Sequence, residues 1–300
     1  MNKPEARSDS GGTPDDARFD VVSDHGCDAF PTLANDPIVI PFVVQVGEAM
    51  HRSTEMPLAD VFDHLADDGP HPSTSQPAPQ VYADSFNTAT RPVVAVTVSS
   101  ALSGSMNAAN QGRSLVPDVD VTLHDSGTVS AAQSFQVHAA MRARALGQDL
   151  ATAVQWMRKV HEETEFYFTL ATLTYLLRGG RIGRVQATLG TVLDLKPVVT
   201  VDKTVGAYVT AARARGWKSA IRTIARQVTT RFGEGTPLRV GLVHGLDRDD
   251  AEAVLANIAE RHPILWSDLT PTGAALAVHV GPIAVGLAVA PGPWPWEREA

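Results

Sequence analysis

The chain has 300 residues, 44% of them hydrophobic and 19% charged. Averages are about 45–50% and about 25%, so the apolar content suffices for a packed core and excludes wholesale disorder. Its 25 Lys+Arg against 33 Asp+Glu leave a formal net charge of −8, the wrong sign for a dedicated nucleic-acid binder, which needs a basic footprint. The one cysteine, Cys27, excludes an internal disulfide framework and a Cys-rich zinc site, and it fits a reducing compartment. No apolar run approaches the ~20 residues of a membrane-spanning helix. Residues 1–16 are polar with no apolar centre, unlike a secretory signal. The expectation is a cytoplasmic protein, without membrane insertion, whose first 18 residues form a disordered lead.

Residues 19–24 read as a short buried strand ending in turn residues. Residues 38–46 read as one strand, with Pro41 marking an edge or a bulge. Pro57 suits the first turn of a helix that sets Leu58, Val61, Phe62 and Leu65 on one face. Residues 73–77 then read as a loop entering a helix with Val81 and Phe86. An almost unbroken apolar run at 93–98 marks a strand covered on both faces. The polar turn 99–105 follows, then a helix through Leu115, a strand at 121–123 ending in His124-Asp125-Ser126, and a helix over 130–146. This alternation predicts a parallel, doubly wound sheet.

The second half reads differently. A helix over 149–163 places Leu150, Val154, Met157 and Val160 at helical spacing, and a strand follows at 165–170. Two short helices flank Gly179-Gly180-Arg181, and 196–201 pairs with 208–212 as a hairpin. A helix carries Trp217, Ile221, Ile224 and Val228, then come a strand at 238–243, a helix with Val254, Leu255 and Ile258, and strands at 264–269 and 274–280. The expectation is a two-domain α/β protein: a parallel sheet in 19–147 and an α+β domain with a mixed sheet in 148–290. Residues 291–300, with Trp294 and Trp296, read as a tail.

No GxGxxG follows a strand, and GxxxxGK[ST], HExxH and GxSxG are missing, so dinucleotide binding, P-loop chemistry, zinc proteolysis and α/β-hydrolase chemistry lose their best evidence. The histidines form no metal-binding pattern. Neither a cofactor nor a metal is expected. What remains is a pair of hydroxyl-rich segments at the carboxyl ends of strands, where open α/β sheets bind ligands. Thr74 and Ser75 precede one helix; Ser103, Gly104 and Ser105 precede another. Helix N-termini present unpaired N–H groups and partial positive charge to an anion, and the hydroxyls add donors. Helix capping alone accounts for either segment taken singly. Gly179-Gly180-Arg181 reads equally as a helix C-terminus, His279-Val280-Gly281-Pro282 as a strand entering a turn, and Asp24 as a turn cap. Ser103, His279 and Asp24 can be written as a triad, but spacing alone supplies no geometry for one.

Taken in order, these segments resemble the DegV family of fatty-acid-binding proteins. VVSDHGCD (21–28) is similar to the family's opening strand and TDS-x-x-D turn, PSTSQPAP (72–79) to its TSQPS loop, and SSALSGS (99–105) to its SS-x-LSGT loop. HDS (124–126) resembles the DS after the next strand. TLTYLLRGGRIG (172–183) with LGTVLDLKPVVTV (189–201) resembles its TL-x-YL-x-x-GGR…LG-x-LL-x-x-KP segment, and HVGP (279–282) its H-x-GP. The resemblance covers 19–289. Ser23, His25 and Ser105 depart from the family's Thr, Ser and Thr, GPIAVG replaces GPGA-x-G, and the loop after Val201 lacks the usual acidic-glycine turn.

The resemblance implies two α/β domains enclosing a long acyl chain. Carried over residue by residue, it makes Thr74 and Ser103 the carboxylate ligands, and Ser75, Ser105, Arg181 and His279 the neighbours that complete the head-group pocket. It implies a long-chain fatty acid as ligand and no catalytic residue. In some bacteria the partner is a soluble fatty-acid kinase that converts the presented carboxylate to an acyl-phosphate. The alternative is a hydrolase or phosphotransferase using Ser103 and His279. Arg178, Arg181 and Arg184, clustered in an acidic chain, are expected to form the surface that docks a kinase; a solvated helix end also accounts for them.

Overall fold

The computed structural model describes residues 18–33, 36–67, 69–183, 185 and 194–298. The expected lead, except Arg18, lies outside them, as do Arg184 and most of the second short helix expected after Arg181. The chain opens with β1 (Asp20–Asp24) and, beside it, β2 (Ile38–Ile40). The single strand expected over 38–46 is two strands. Pro41 has no N–H with which to continue the ladder, and beyond it β3 (Val43–Val46) joins another sheet. There β3 is flanked antiparallel by β4 (Ala49–Arg52) and by β5 (Ser73–Ser75), so the loop expected at 73–77 begins as an edge strand. Between β4 and β5, α1 (Leu58–Ala66) buries Val61, Phe62 and Leu65, as its spacing predicts.

Then α2 (Pro79–Asn87), β6 (Val93–Thr97), α3 (Ser105–Ser114), β7 (Val121–Asp125) and α4 (Ser130–Ala145) alternate. Strands β2-β1-β6-β7 form a parallel sheet. Every residue of β6 is buried, as its apolar run requires, because α2 and α3 pack on one face and α4 on the other.

The second half adds α5 (Leu150–Glu163), capped by Asp149 accepting from Thr152 N, β8 (Glu165–Leu170) and α6 (Thr174–Arg178). The hairpin β9 (Leu195–Asp202) and β10 (Ala207–Arg215) follows, then α7 (Trp217–Phe232), β11 (Leu238–His244), α8 (Arg248–Ala259) and β12 (Ile264–Pro271). The strand expected at 274–280 is a helix, α9 (Ala274–Val280). Its composition is rich in alanine, the best helix former, and Gly273 and Gly281 bound it. The true strand comes next: β13 (Ala284–Pro291) runs between β8 and β11 in the sheet β10-β9-β8-β13-β11-β12. Only β11 and β12 pair parallel there, so this sheet is mixed.

The expected tail is also corrected. Trp294 and Trp296, on and beside α10 (Pro295–Arg298), are each 6% exposed and stack with centroids 5.1 Å apart. They pack on His138 of α4 and Trp156 of α5, and the Arg239 guanidinium lies 3.8 Å from the Trp294 centroid. The largest core cluster joins Val94 and Val96 of the parallel sheet, Phe135 and Ala139 of α4, and Phe166, Phe168 and Ala288 of the mixed sheet. Helix α4 is therefore shared by both sheets. Its many alanines suit a helix buried on most of its surface.

Candidate ligand-binding site

A cavity of ≈ 530 Å³ lies where the loop after β6, strand β5 and helix α9 converge, and Thr74, Gln76, Ser103, Arg181, Tyr208 and His279 line it. Thr74 owes its direction to strand register, opposite Val44 of β3. It does not stand at a helix start, because α2 begins at Pro79 with Ala78 as its cap. Side chains alternate along a strand, so Ser75, expected among the pocket residues, is exposed and does not line the cavity.

Ser103 serves both readings of its turn. Its Oγ accepts from Ser105 N at 3.2 Å, taking up an unpaired N–H of the first turn of α3, while the residue lines the cavity. Ser105 is fully buried behind it, 3.1 Å from Ser103 Oγ and hydrogen-bonded to Asp24; it too is absent from the lining. The two loops interlock at Gly104, where a Cβ would stand 1.8 Å from Gln76 Oε1.

His279 sits in the last turn of α9, its Nε2 2.7 Å from Thr74 Oγ1. Its ring covers Gly179, where a Cβ would lie 2.1 Å from Nδ1. Burial, reinforced by the charge of Arg181, pushes its pKa down to about 4, so the imidazole is neutral at pH 7. Nδ1 has no partner, and the tautomer that buries no unpaired N–H carries its proton on Nε2. That proton donates to Thr74 Oγ1 and leaves the threonine hydroxyl proton free for an acceptor in the cavity. Arg181 donates from Nη1 to Gly179 O at 2.6 Å and from Nε to Leu102 O at 3.3 Å. These bonds fix its guanidinium at the cavity wall rather than on an outer surface. Arg178 instead meets His71 Nδ1 at 3.3 Å, so the two described arginines of the expected docking cluster face different partners.

A second cavity of ≈ 400 Å³ adjoins it across the shared walls of Val129, Tyr208, Leu276 and Val280. Phe166, Phe168, Val243 and Ala284 extend its wall, and Phe168 meets Tyr208 edge-on at 5.1 Å. Donors therefore gather at one end of a channel that is otherwise largely hydrocarbon, a form suited to an amphiphile with an anionic head. The triad is not assembled. His279 Nε2 is committed to Thr74, and the Asp24 carboxylate accepts from Val98 N, Gly26 N and Gln133 Nε2 behind Ser105. Gln76, Tyr208 and Leu276 were not singled out by the sequence. Gln76 could have been found in the TSQP run, whereas nothing local marks Tyr208 on its strand.

The chain matches the DegV family model, described as an uncharacterised protein of the DegV family, over residues 18–292. A DegV domain-containing protein of Deinococcus radiodurans is 52% identical over 282 residues, 93% of this chain and 98% of its own. Among solved structures, a DegV family protein from Thermus thermophilus described by its fatty-acid binding superposes with a TM-score of 0.84 at 28% identity, covering 92% of this chain and 100% of its own. The B3 protein of the Streptococcus pneumoniae fatty acid kinase, loaded with linoleic acid, shares the fold with a TM-score of 0.78 at 18% identity, covering 91% of this chain and 99% of its own.

Proposed function

The chain belongs to the DegV family, and on that premise we propose that it is a non-catalytic binding protein for a long-chain fatty acid. Thr74 and Ser103 hold the carboxylate, Arg181 and His279 complete the head-group end, and the chain lies along Val129, Leu276 and Tyr208 towards Phe168. Ser105 supports Ser103 from behind, and Ser75 has no part. The observation that carries this reading is a donor-lined cavity that shares four wall residues with an adjoining apolar one. Each buried methylene contributes about 0.8 kcal/mol, so about ten would give about 8 kcal/mol before ordering and association costs. Hydrogen bonds to the charged head add about 1.5–3 kcal/mol each and keep the carboxylate from being buried unpaired.

The bound carboxylate is presented to a fatty-acid kinase, as the description of the Streptococcus pneumoniae neighbour suggests by analogy, and the protein works in the cytoplasm. Among the described residues no helix is long and apolar enough to cross a membrane. The test is calorimetry on delipidated protein with palmitate and hexadecanol, the latter lacking the charge. Palmitate should bind far more tightly, and Ser103→Ala should weaken it about ten- to a hundredfold with an unchanged circular dichroism spectrum. Acyl-phosphate trapped as a hydroxamate should then form with a cognate kinase and ATP but not with either protein alone. Equal affinity for the alcohol, or wild-type affinity in the variant, overturns the assignment.

A further inference from the structure

Beyond the acyl channel lies a third cavity, small enough for a single water-sized group, whose character is different. Thr128, Gln136, His161, Thr164, Phe166 and Lys203 line it, and the Phe166 ring is common to its wall and that of the channel. A larger share of its wall is polar than in the channel. Fully buried Gln136 donates from Nε2 to Ser126 O at 2.9 Å, which fixes the orientation of its amide. The same amide nitrogen lies 3.3 Å from His161 Nδ1, and its oxygen accepts from His124 Nε2 at 2.8 Å. His161 Nδ1 is therefore an acceptor, and its proton sits on Nε2. Thr164 supplies the independent observation: it is 4% exposed, lines this chamber, and its hydroxyl has no partner.

A methyl-terminated chain entering this space would cover polar groups without bonding to them, which costs free energy. An oxygen at the far end of the chain would remove that cost. A neutral hydroxyl suits the site better than a second carboxylate, because the nearest cation, Lys203, is already engaged by Glu165 Oε1 at 3.0 Å and Glu162 O at 2.8 Å. A hydroxyl can both donate to and accept from Thr164 Oγ1. We propose that the chamber beyond Phe166 is a second polar subsite of the fatty-acid pocket, taking the hydroxyl-bearing far end of a long-chain hydroxy acid, with the Phe166 ring as the gate. This rests on the fatty-acid reading above.

The test is displacement calorimetry on the delipidated full chain with matched pairs, lauric to stearic acid and their ω-hydroxy counterparts. At one chain length the ω-hydroxy acid should bind about tenfold more tightly than its partner, the effect of one buried hydrogen bond gained. Thr164→Val should abolish that preference without weakening the methyl-terminated acid, and Thr164→Ser should keep it. Weaker binding of the hydroxy acid at every length, or a preference that survives Thr164→Val, overturns the subsite alone. Failure of both series to bind overturns the fatty-acid reading and the subsite with it.

Discussion

The Thr74–His279 pair shows how much the state of one proton decides at the head-group end. A neutral imidazole donating to Thr74 turns the threonine hydroxyl outward as a donor, whereas a hydroxyl spent on His279 would have nothing left for a carboxylate. Thr74→Val keeps the shape and removes the donor; palmitate affinity should fall about ten- to a hundredfold, and Thr74→Ser should stay within a few-fold of wild type in calorimetry. Because burial and Arg181 hold His279 near 4, affinity should be flat from about pH 6 to 8, with no inflection near the ordinary histidine value of about 6.5. Thr74, Ser103, Arg181 and His279 were legible as members of an ordered set of motifs. The bond between Thr74 and His279 was not, since it joins residues 205 positions apart. Excluding Ser75 from the pocket needed a strand register, and a loop was expected there.

Among the elements, the loops that carry Gln76 and Ser103 meet at Gly104. This glycine has φ −77°, which alanine tolerates, so the cost of substitution lies in the contact with Gln76 and not in the backbone. Gln76 is exposed and its amide is the free end of a flexible side chain, so Gly104→Ala should move that amide aside and change stability by no more than about 0.5 kcal/mol in urea unfolding; a loss of several kcal/mol would mean that the Gln76 amide is held in place. The same region explains where element prediction failed. A seven-residue apolar run with glycine at each end fits a helix or a strand equally well by length and pattern, and α9 was settled by packing on α1 and α6. Pro41 was recognised as an interruption, but whether it bends one strand or divides two depends on β4 and β5, which supply β3 with partners. By contrast, β6 was readable from an unbroken apolar run, as befits a strand buried on both faces, and α1 and α5 because burial of one helix face leaves a periodic trace.

Across the whole molecule, the two halves are joined by bonds that flank the channel. Asp28, after β1, accepts from Gly273 N at 2.7 Å at the start of α9 and from Ser130 Oγ at the start of α4. Ser99 Oγ donates to Gly206 O at 2.7 Å on the other side. Burial raises the Asp28 pKa to about 6, above its ordinary 3.8, despite the hydrogen bonds from Ser130, Gly273 and Thr272. The folded state then holds a proton that the unfolded chain has lost between about pH 4 and 6, so this contribution to stability is fully present at low pH and disappears as pH rises through 6. Asp24 acts in the same sense. His138 and His279, pushed down to about 4, act in the opposite sense, and the slopes of wild type partly cancel. Asp28→Asn removes one acidic contribution. Going from neutral pH to about pH 4.5, the wild type should gain about 2 kcal/mol relative to the variant, measured by urea unfolding; a constant difference would mean that Asp28 is not protonated in the folded state. The tail at 291–298 was misread because tryptophans after the last strand carry no periodicity, and their burial depends on α4, α5 and Arg239, all distant in sequence.

The most direct test of the ligand assignment is a crystal structure of the protein with palmitate bound. The account predicts carboxylate oxygens within about 3 Å of Thr74 Oγ1 and Ser103 Oγ, hydrogen-bond distance, and a chain passing Tyr208 and Phe168. A carboxylate located elsewhere, or an apolar channel left without the chain, would contradict it.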